Sequence, residues 1–212
     1  MPADGFPIAA RWLAEAFAAG VQSNPHAIAL ATVDAAGRAD VRMVLCKALE
    51  PATGCLVFYT HRASPKGRAL EAHTHAAAVF YFGPDDRQVR IAGPVSEVSA
   101  AESDAYFATR PLDARVGAWA SVQSEPIDSR AALEGELARQ AARFGAALDD
   151  PEAPAQVPRP PHWGGYRIHA ERLELWHGRP GRLHDRALWT RELRPAAGGF
   201  EAGRWRVERL QP

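Results

Sequence analysis

The sequence predicts a mainly β fold, an antiparallel barrel with flanking helices, and three features carry that reading. About eight short runs have the length and apolar content of strands. Two consecutive pairs of them are joined by turn-forming residues. Helical segments interrupt the strands without the strict βαβ alternation of a parallel sheet.

The elements follow in order. Ile8, Trp12, Leu13, Ala16 and Phe17 recur at helical spacing and Gly20 supplies a stop, which predicts an amphipathic helix in the opening segment 1–22. Ala27–Val33 and Ala39–Lys47 form a hairpin across Asp34-Ala35-Ala36-Gly37. In the second of these strands Val41, Met43 and Leu45 alternate with Arg42, Val44 and Cys46, so one face is apolar and Arg42 and Lys47 point to different sides. Cys55–Thr60 is a third strand. Ser64 and Pro65 then supply an N-cap and first helical residue for a helix to about His73. Ala76–Phe82 and Arg87–Val98 make a second hairpin across Gly83-Pro84-Asp85-Asp86, and Ser99 with Glu102 forms a capping box for a helix that stops before Pro111. A longer helix spans Asp128 to about Phe144, with Leu133, Leu137, Ala141 and Phe144 on one face. The segment 149–161 holds five prolines and reads as a linker. Strands return in the C-terminal part, 162–212, at Tyr166–His169, Leu173–His177, Ala187–Arg191 and Arg204–Leu210.

With 212 residues the chain suits one domain, 1–212. Its 25 basic and 25 acidic residues provide no global field for nucleic acid or an anionic membrane, so an anion site must be local. The longest uncharged apolar runs, 27–33 and 76–82, fall far short of the roughly 20 residues of a membrane span. No basic n-region precedes a long apolar core, so no secretory signal is expected and a cytoplasmic setting is. Cys46 and Cys55 both lie in apolar strands and read as reduced core residues, and no metal-ligand spacing occurs, so no metal is expected.

Three polar clusters exceed what a core needs: Arg42 to Lys47, Tyr106 to Pro111, and Arg182-Leu183-His184-Asp185-Arg186. Arginine forks, a lysine point charge and a tyrosine donor are the groups a phosphorylated ligand requires. Lys66 and Arg68 stand near a helix start, where cations oppose the helix dipole unless an anion sits nearby.

In their order and with their neighbours, these segments resemble the pyridoxine 5′-phosphate oxidase family. The resemblance also rests on Val57-Phe58-Tyr59-Thr60, Arg87-Gln88-Val89, Gly117-Ala118-Trp119-Ala120-Ser121 with Gln123-Ser124, Trp163-Gly164-Gly165-Tyr166-Arg167, Leu175-Trp176 and the terminal Arg209-Leu210-Gln211-Pro212. It runs from about Arg11 to Pro212, and Arg182–Arg186 and the terminal Arg-Leu-x-Pro are its most specific parts. It implies a split β-barrel that binds FMN at the interface of a homodimer. By position it assigns Arg42, Lys47, Tyr59, Thr60, Lys66, Gln88, Gln123, Ser124, Trp176 and Arg186 to the flavin and its phosphate. Lys47, Tyr106 and Arg110 match the group that holds a substrate phosphate, and Arg182 and His184 match the catalytic pair flanking the pyridine ring. The implied reaction oxidises pyridoxine or pyridoxamine 5′-phosphate with O2 to pyridoxal 5′-phosphate and H2O2.

Two departures concern phosphate. Pro65 stands where the family usually has an arginine, with Arg62 or Arg68 as candidate replacements. Ala114 stands where a serine usually helps hold the substrate phosphate, with Arg115 or water as substitute. These keep two other readings open: an FMN oxidase of another aromatic substrate such as a dihydrophenazine, and a non-catalytic flavin or pyridoxal-phosphate binding protein of the same fold.

Overall fold

The computed structural model describes residues 1–150 and 155–212. Part of the expected proline-rich linker, residues 151–154, therefore lies outside the described residues. The chain divides into two compact units: Met1–Phe58, Ala69–Ser96 and Tyr166–Pro212 form the first, Tyr59–Arg68 and Glu97–Gly165 the second.

Among the described residues, eleven strands and five α-helices run in the order α1 (Phe6–Ala19), β1 (Ala27–Val33), β2 (Ala39–Glu50), β3 (Cys55–His61), α2 (Pro65–Ala72), β4 (His75–Phe82), β5 (Arg87–Glu97), α3 (Ala100–Ala108), α4 (Leu112–Ala120), α5 (Arg130–Phe144), β6 (Trp163–His169), β7 (Arg172–His177), β8 (Asp185–Thr190), β9 (Leu193–Ala196), β10 (Gly199–Ala202) and β11 (Arg206–Leu210). Nine strands form one sheet in the order β11-β8-β7-β5-β4-β1-β2-β3-β6, and a further β5–β6 pairing closes β5-β4-β1-β2-β3-β6 into a six-stranded barrel. The predicted hairpins are both present, with Ala27 opposite Leu45 and Phe82 opposite Arg87. The fold class read from the sequence is the fold observed.

The core of the first unit follows from strand alternation, which sends every second side chain inward. Ile28 and Leu30 on β1, Phe80 on β4, Val89 and Ile91 on β5 and Leu173 on β7 are all buried. Helix α1 adds Phe6, Ala9 and Ala16 to this core, and Gly20, in the left-handed region at φ 63°, ends it as expected.

Strand β2 reads differently. Its inward set is the partly buried Arg42 and Val44 with buried Cys46, whereas the more apolar set faces outward: Val41 is 62% exposed, Met43 63% and Leu45 39%. The reason lies in register, since Met43 pairs with Ala29, Ala29 with Val79 and Val79 with Arg90, a row on the outer face of the barrel.

The second unit has its own small core of Leu112, Val116, Ala141 and Val157, against which Trp119, Leu137 and Phe144 pack. Ser99 caps α3 as expected, its hydroxyl accepting from the Glu102 backbone N–H at 3.2 Å and donating to Glu102 Oε2 at 2.7 Å. Helix α5 begins two residues later than a start at Asp128 would give, because Ser129 caps it by accepting from the Ala132 N–H at 3.0 Å. Helix α4 was not predicted: it is short, contains Gly117 and has no side-chain cap, so neither propensity nor punctuation marks it. The β9–β10 hairpin was also not predicted; both of its strands are only four residues long.

Both cysteines are free and buried, as expected. Desolvation pushes the Cys46 thiol up to about 12, and burial also raises that of Cys55, whose Sγ lies 3.3 Å from His169 Nδ1. At pH 8 Cys46 thus carries about a thousandfold less thiolate than an ordinary cysteine with a value of 9.0. A thiol-reactive disulfide reagent is expected to label neither residue in the native protein and both after denaturation. Rapid native labelling of either one would contradict the burial of that strand.

Candidate functional site

The residues singled out from the sequence gather into separate groups. In the first unit, Gln88 on β5 pairs with Trp176 on β7, and Trp176 pairs with Arg186 on β8, so the three stand in one cross-strand row on one face. The Trp176 ring lies 4.6 Å from that of His184. His184 Nδ1 accepts the Arg179 backbone N–H at 3.2 Å, which leaves Nε2 to carry the proton of the neutral ring. Arg182 sits at φ 62° directly after Gly181 at φ 67°. Two successive left-handed residues make a tight turn, and for an arginine that conformation is uncommon and concentrates at functional sites.

Arg186 is strongly engaged within its own unit. Its Nε and Nη2 lie 2.9 Å and 2.7 Å from Glu174 Oε1, and its Nη1 donates to the Gln211 carbonyl at 3.0 Å. Glu174 is buried and also meets Arg90 at 2.9 Å. The terminal Arg-Leu-x-Pro motif thus has a structural task, since the backbone of Gln211 orients Arg186. Arg209 of the same motif pairs with Asp185 at 3.3 Å.

Arg42 lies elsewhere, at the start of β2. It donates to the Leu30 carbonyl at 3.1 Å and to the Thr32 hydroxyl at 2.8 Å, and pairs with Asp40. Lys47 is exposed beyond Cys46, next to the irregularity at which the β2–β3 register shifts. As expected, Arg42 and Lys47 point to different sides of the strand.

The second unit holds two groups. In one, Lys66 is 6% exposed, and its Nζ donates to Gln123 Oε1 at 2.7 Å and to Ser64 Oγ at 3.2 Å. Thr60 Oγ1 donates to the same Gln123 oxygen at 3.1 Å. Ser124, next in the chain, has φ 70°. A buried ammonium, a hydroxyl and an amide on one point form a cradle whose net charge suits an anion.

In the other group, Tyr59 stacks on Tyr106 with ring centroids 4.1 Å apart and on Trp163 at 5.2 Å. The Arg110 guanidinium lies 5.0 Å from the Trp163 ring centre and 5.3 Å from that of Phe107. Its Nη1 is buried with no hydrogen-bond partner among the described residues, and burial holds its proton affinity below the usual arginine value. A buried guanidinium atom without an acceptor is costly unless a ligand supplies one.

The candidate replacements at the two departures are also placed. Arg68 meets Glu125 at 3.2 Å and the Ala63 carbonyl, while Arg62 meets Glu97 at 3.0 Å and keeps a buried Nε without a partner among the described residues. Arg115 likewise has a buried Nε without one. Sequence reasoning did not single out the stacked His61–His162 pair or the interaction of Cys55 with His169, whose Nε2 lies 2.8 Å from Ser96 Oγ. Neither follows a recognisable spacing, because each joins segments about a hundred residues apart. No group of three or more metal-ligating side chains occurs among the described residues, and none of their helices is long and apolar enough to cross a membrane.

Comparison with known proteins agrees with this geometry. The family profile "Pyridoxamine 5'-phosphate oxidase" matches residues 13–144, and "Pyridoxine 5'-phosphate oxidase C-terminal dimerisation region" matches residues 163–212. The chain is 48% identical over 202 residues to a pyridoxine/pyridoxamine 5'-phosphate oxidase of Burkholderia multivorans, covering 95% of this chain and 86% of that protein. It is 49% identical over 207 residues to the same-named protein of Rhodopseudomonas palustris, covering 98% and 89%. Among solved structures it resembles PhzG from Burkholderia lata in complex with tetrahydrophenazine-1-carboxylic acid, with a TM-score of 0.83, 30% identity and coverage of 100% and 94%. It shares its fold with a pyridoxamine 5'-phosphate oxidase-related, FMN-binding protein of Nostoc punctiforme, at a TM-score of 0.72 and 19% identity over the whole of both chains. Two profiles that together span most of the sequence, and relatives near half identity, establish that the chain belongs to the pyridoxamine 5′-phosphate oxidase family of oxidoreductases.

Proposed function

We propose that the protein is an FMN-dependent oxidase that converts pyridoxine 5′-phosphate or pyridoxamine 5′-phosphate into pyridoxal 5′-phosphate, with O2 reduced to H2O2. The observation that carries this reading is the presence of two separate anion-seeking cations in one unit, the Lys66 cradle and the Arg110 guanidinium. The reaction involves two phosphate monoesters, one on the cofactor and one on the substrate. Thr60, Lys66, Gln123 and Ser124 fit the flavin phosphate by the chemistry of their donors. Tyr106 and Arg110 fit that of the substrate, with Lys47 matched to both by family resemblance.

FMN, when bound, supplies the two-electron acceptor that returns its electrons to O2. The chain's own groups bind and orient. Tyr59 presents an aromatic wall beside Tyr106, and the residues of the other unit matched to the flavin are Arg42, Lys47, Gln88, Trp176 and Arg186. Arg182 and His184 are assigned to the substrate ring, His184 with its Nε2 proton available as a donor. Two hydrogens leave the 4′ carbon and its hydroxyl or amine. With the amine, water then adds and ammonia departs.

Anaerobic mixing of the FMN-loaded protein with pyridoxine 5′-phosphate tests this: the visible flavin band is expected to bleach, then to recover in air as pyridoxal 5′-phosphate forms. A flavin that stays oxidised would rule the substrate out. The resemblance to PhzG at 30% identity favours a second reading, a reduced tricyclic substrate, and bleaching by a dihydrophenazine but not by the B6 vitamer would establish it.

The working form is proposed to be a homodimer, as the match to a dimerisation region suggests. Val41, Met43, Leu45 and Tyr81 form an exposed apolar set on the outer barrel face, of the kind that marks an association surface. Met43→Asp is expected to leave the barrel folded, since Met43 is 63% exposed, and to convert the dimer to monomer in sedimentation. An unchanged sedimentation coefficient would move the interface elsewhere.

A further inference from the structure

The second unit contains a feature with no evident share in the chemistry above. His61, the last residue of β3, is 6% exposed, and its ring stacks on His162 with centroids 4.1 Å apart and planes 26° from parallel. His162 Nε2 lies 3.1 Å from the Ala118 carbonyl oxygen, which can only accept, so Nε2 carries the proton. The Trp119 ring stands edge-on to His162 at 6.3 Å. His61 Nδ1 is buried with no hydrogen-bond partner among the described residues.

The charges around this pair are mostly of one sign. Lys66 and Arg68 on α2 act on His61 together with His162. Arg62 follows His61 in the chain, and its backbone N–H donates to the His162 carbonyl at 2.6 Å. The acids present, Glu97 and Glu125, are already engaged by Arg62 and Arg68. A proton on His61 would place a cation against the His162 ring and close to the Lys66 ammonium. Burial, joined by these cations, holds His61 below the usual histidine value.

His61 is tied directly to the cradle. Its carbonyl accepts from the Ser64 N–H at 3.2 Å and from the Ser64 hydroxyl at 2.7 Å, and that hydroxyl oxygen accepts from Lys66 Nζ. Thr60, its neighbour on the other side, reaches Gln123 together with Lys66. A displacement of His61 thus disturbs both routes to the cradle.

We propose that the His61–His162 stack is a positioning pair that holds the Thr60–Lys66–Gln123 cradle in order and loosens it when His61 takes up a proton, which makes FMN retention acid-sensitive. This rests on the reading of the cradle as the flavin phosphate site.

The test is FMN affinity of the apoprotein, followed by flavin fluorescence, for wild type, His61→Phe and His61→Asn. Phenylalanine keeps a ring for the stack and cannot be protonated, and asparagine provides a second variant should the first fail to fold. Between about pH 8 and about pH 5, wild type is expected to lose about tenfold more affinity than the variants, a window that extends below the ordinary histidine value because His61 is held beneath it. The titration of FMN's own phosphate is common to all three proteins and cancels in that comparison. Parallel pH profiles, with tight binding at pH 8, would overturn the positioning pair and leave the cofactor site standing. No FMN uptake at pH 8 by any of the three would overturn the cofactor site and the pair with it.

Discussion

Lys66→Met is expected to weaken FMN binding by about ten- to a hundredfold while leaving the affinity for riboflavin, which lacks the phosphate, nearly unchanged. Lys66 is 6% exposed, and its ammonium converges with Thr60 on Gln123. A hydrogen bond to a charged group contributes about 1.5–3 kcal/mol, and each 1.4 kcal/mol is about tenfold in affinity. Methionine keeps most of the stem volume and removes a buried charge, so the melting temperature of the apoprotein should hold or rise. Apoprotein titrated with both flavins gives the comparison. Equal losses for FMN and riboflavin would mean that Lys66 supports the fold of the site and not the phosphate.

This residue also carries more weight because of what precedes it. Pro65 is the first residue of α2 and has neither a side-chain donor nor a backbone N–H. Arg68 is committed to Glu125 and the Ala63 carbonyl, which leaves it poorly placed to replace the missing arginine. Arg62 is the better candidate of the two, since its Nε is buried and without a partner among the described residues even as its other end meets Glu97. The same argument selects Arg115 near Ala114, where a buried Nε offers a donor that alanine cannot.

How much of this was legible in the sequence depends on the range of the interaction. Gly20, the Ser99 cap and the turns at Asp34–Gly37 and Gly83–Asp86 act within a few residues, and the elements they bound are where local chemistry puts them. Helix α4 is held instead by Leu112 and Val116 against Ala141 and Val157, contacts that no local pattern announces. Strand β2 shows the same limit. Its alternation is plain, but whether Val41, Met43 and Leu45 face core or surface is decided by pairing with β1, and the more apolar set faces out. At the candidate site, the residue types came from motif resemblance. Their arrangement, including the Gln88–Trp176–Arg186 row and the Glu174 that binds Arg186, came from sheet register.

Arg110→Met is the change expected to cost most in turnover. The guanidinium is set over Trp163 and Phe107, in an aromatic group that also contains Tyr59 and Tyr106, and one of its nitrogens is buried without an acceptor among the described residues. Desolvation is the main cause that lowers its proton affinity, opposed by Tyr106 and Asp113. On the proposed reading, a substrate phosphate dianion would offset that desolvation cost, and its attraction would be felt in a site already stripped of water. Removing one partner of such a buried pair costs about 2–5 kcal/mol, or roughly thirty- to several-thousandfold in kcat/KM for pyridoxine 5′-phosphate. Methionine preserves the stem against the rings, so FMN content and the flavin spectrum should match those of wild type. Steady-state kinetics on the phosphorylated and the unphosphorylated alcohol separate the effects: the loss should appear with the phosphorylated substrate alone. A loss of the same size with both would place Arg110 in the framework of the aromatic stack, and no loss with either would remove it from substrate binding altogether.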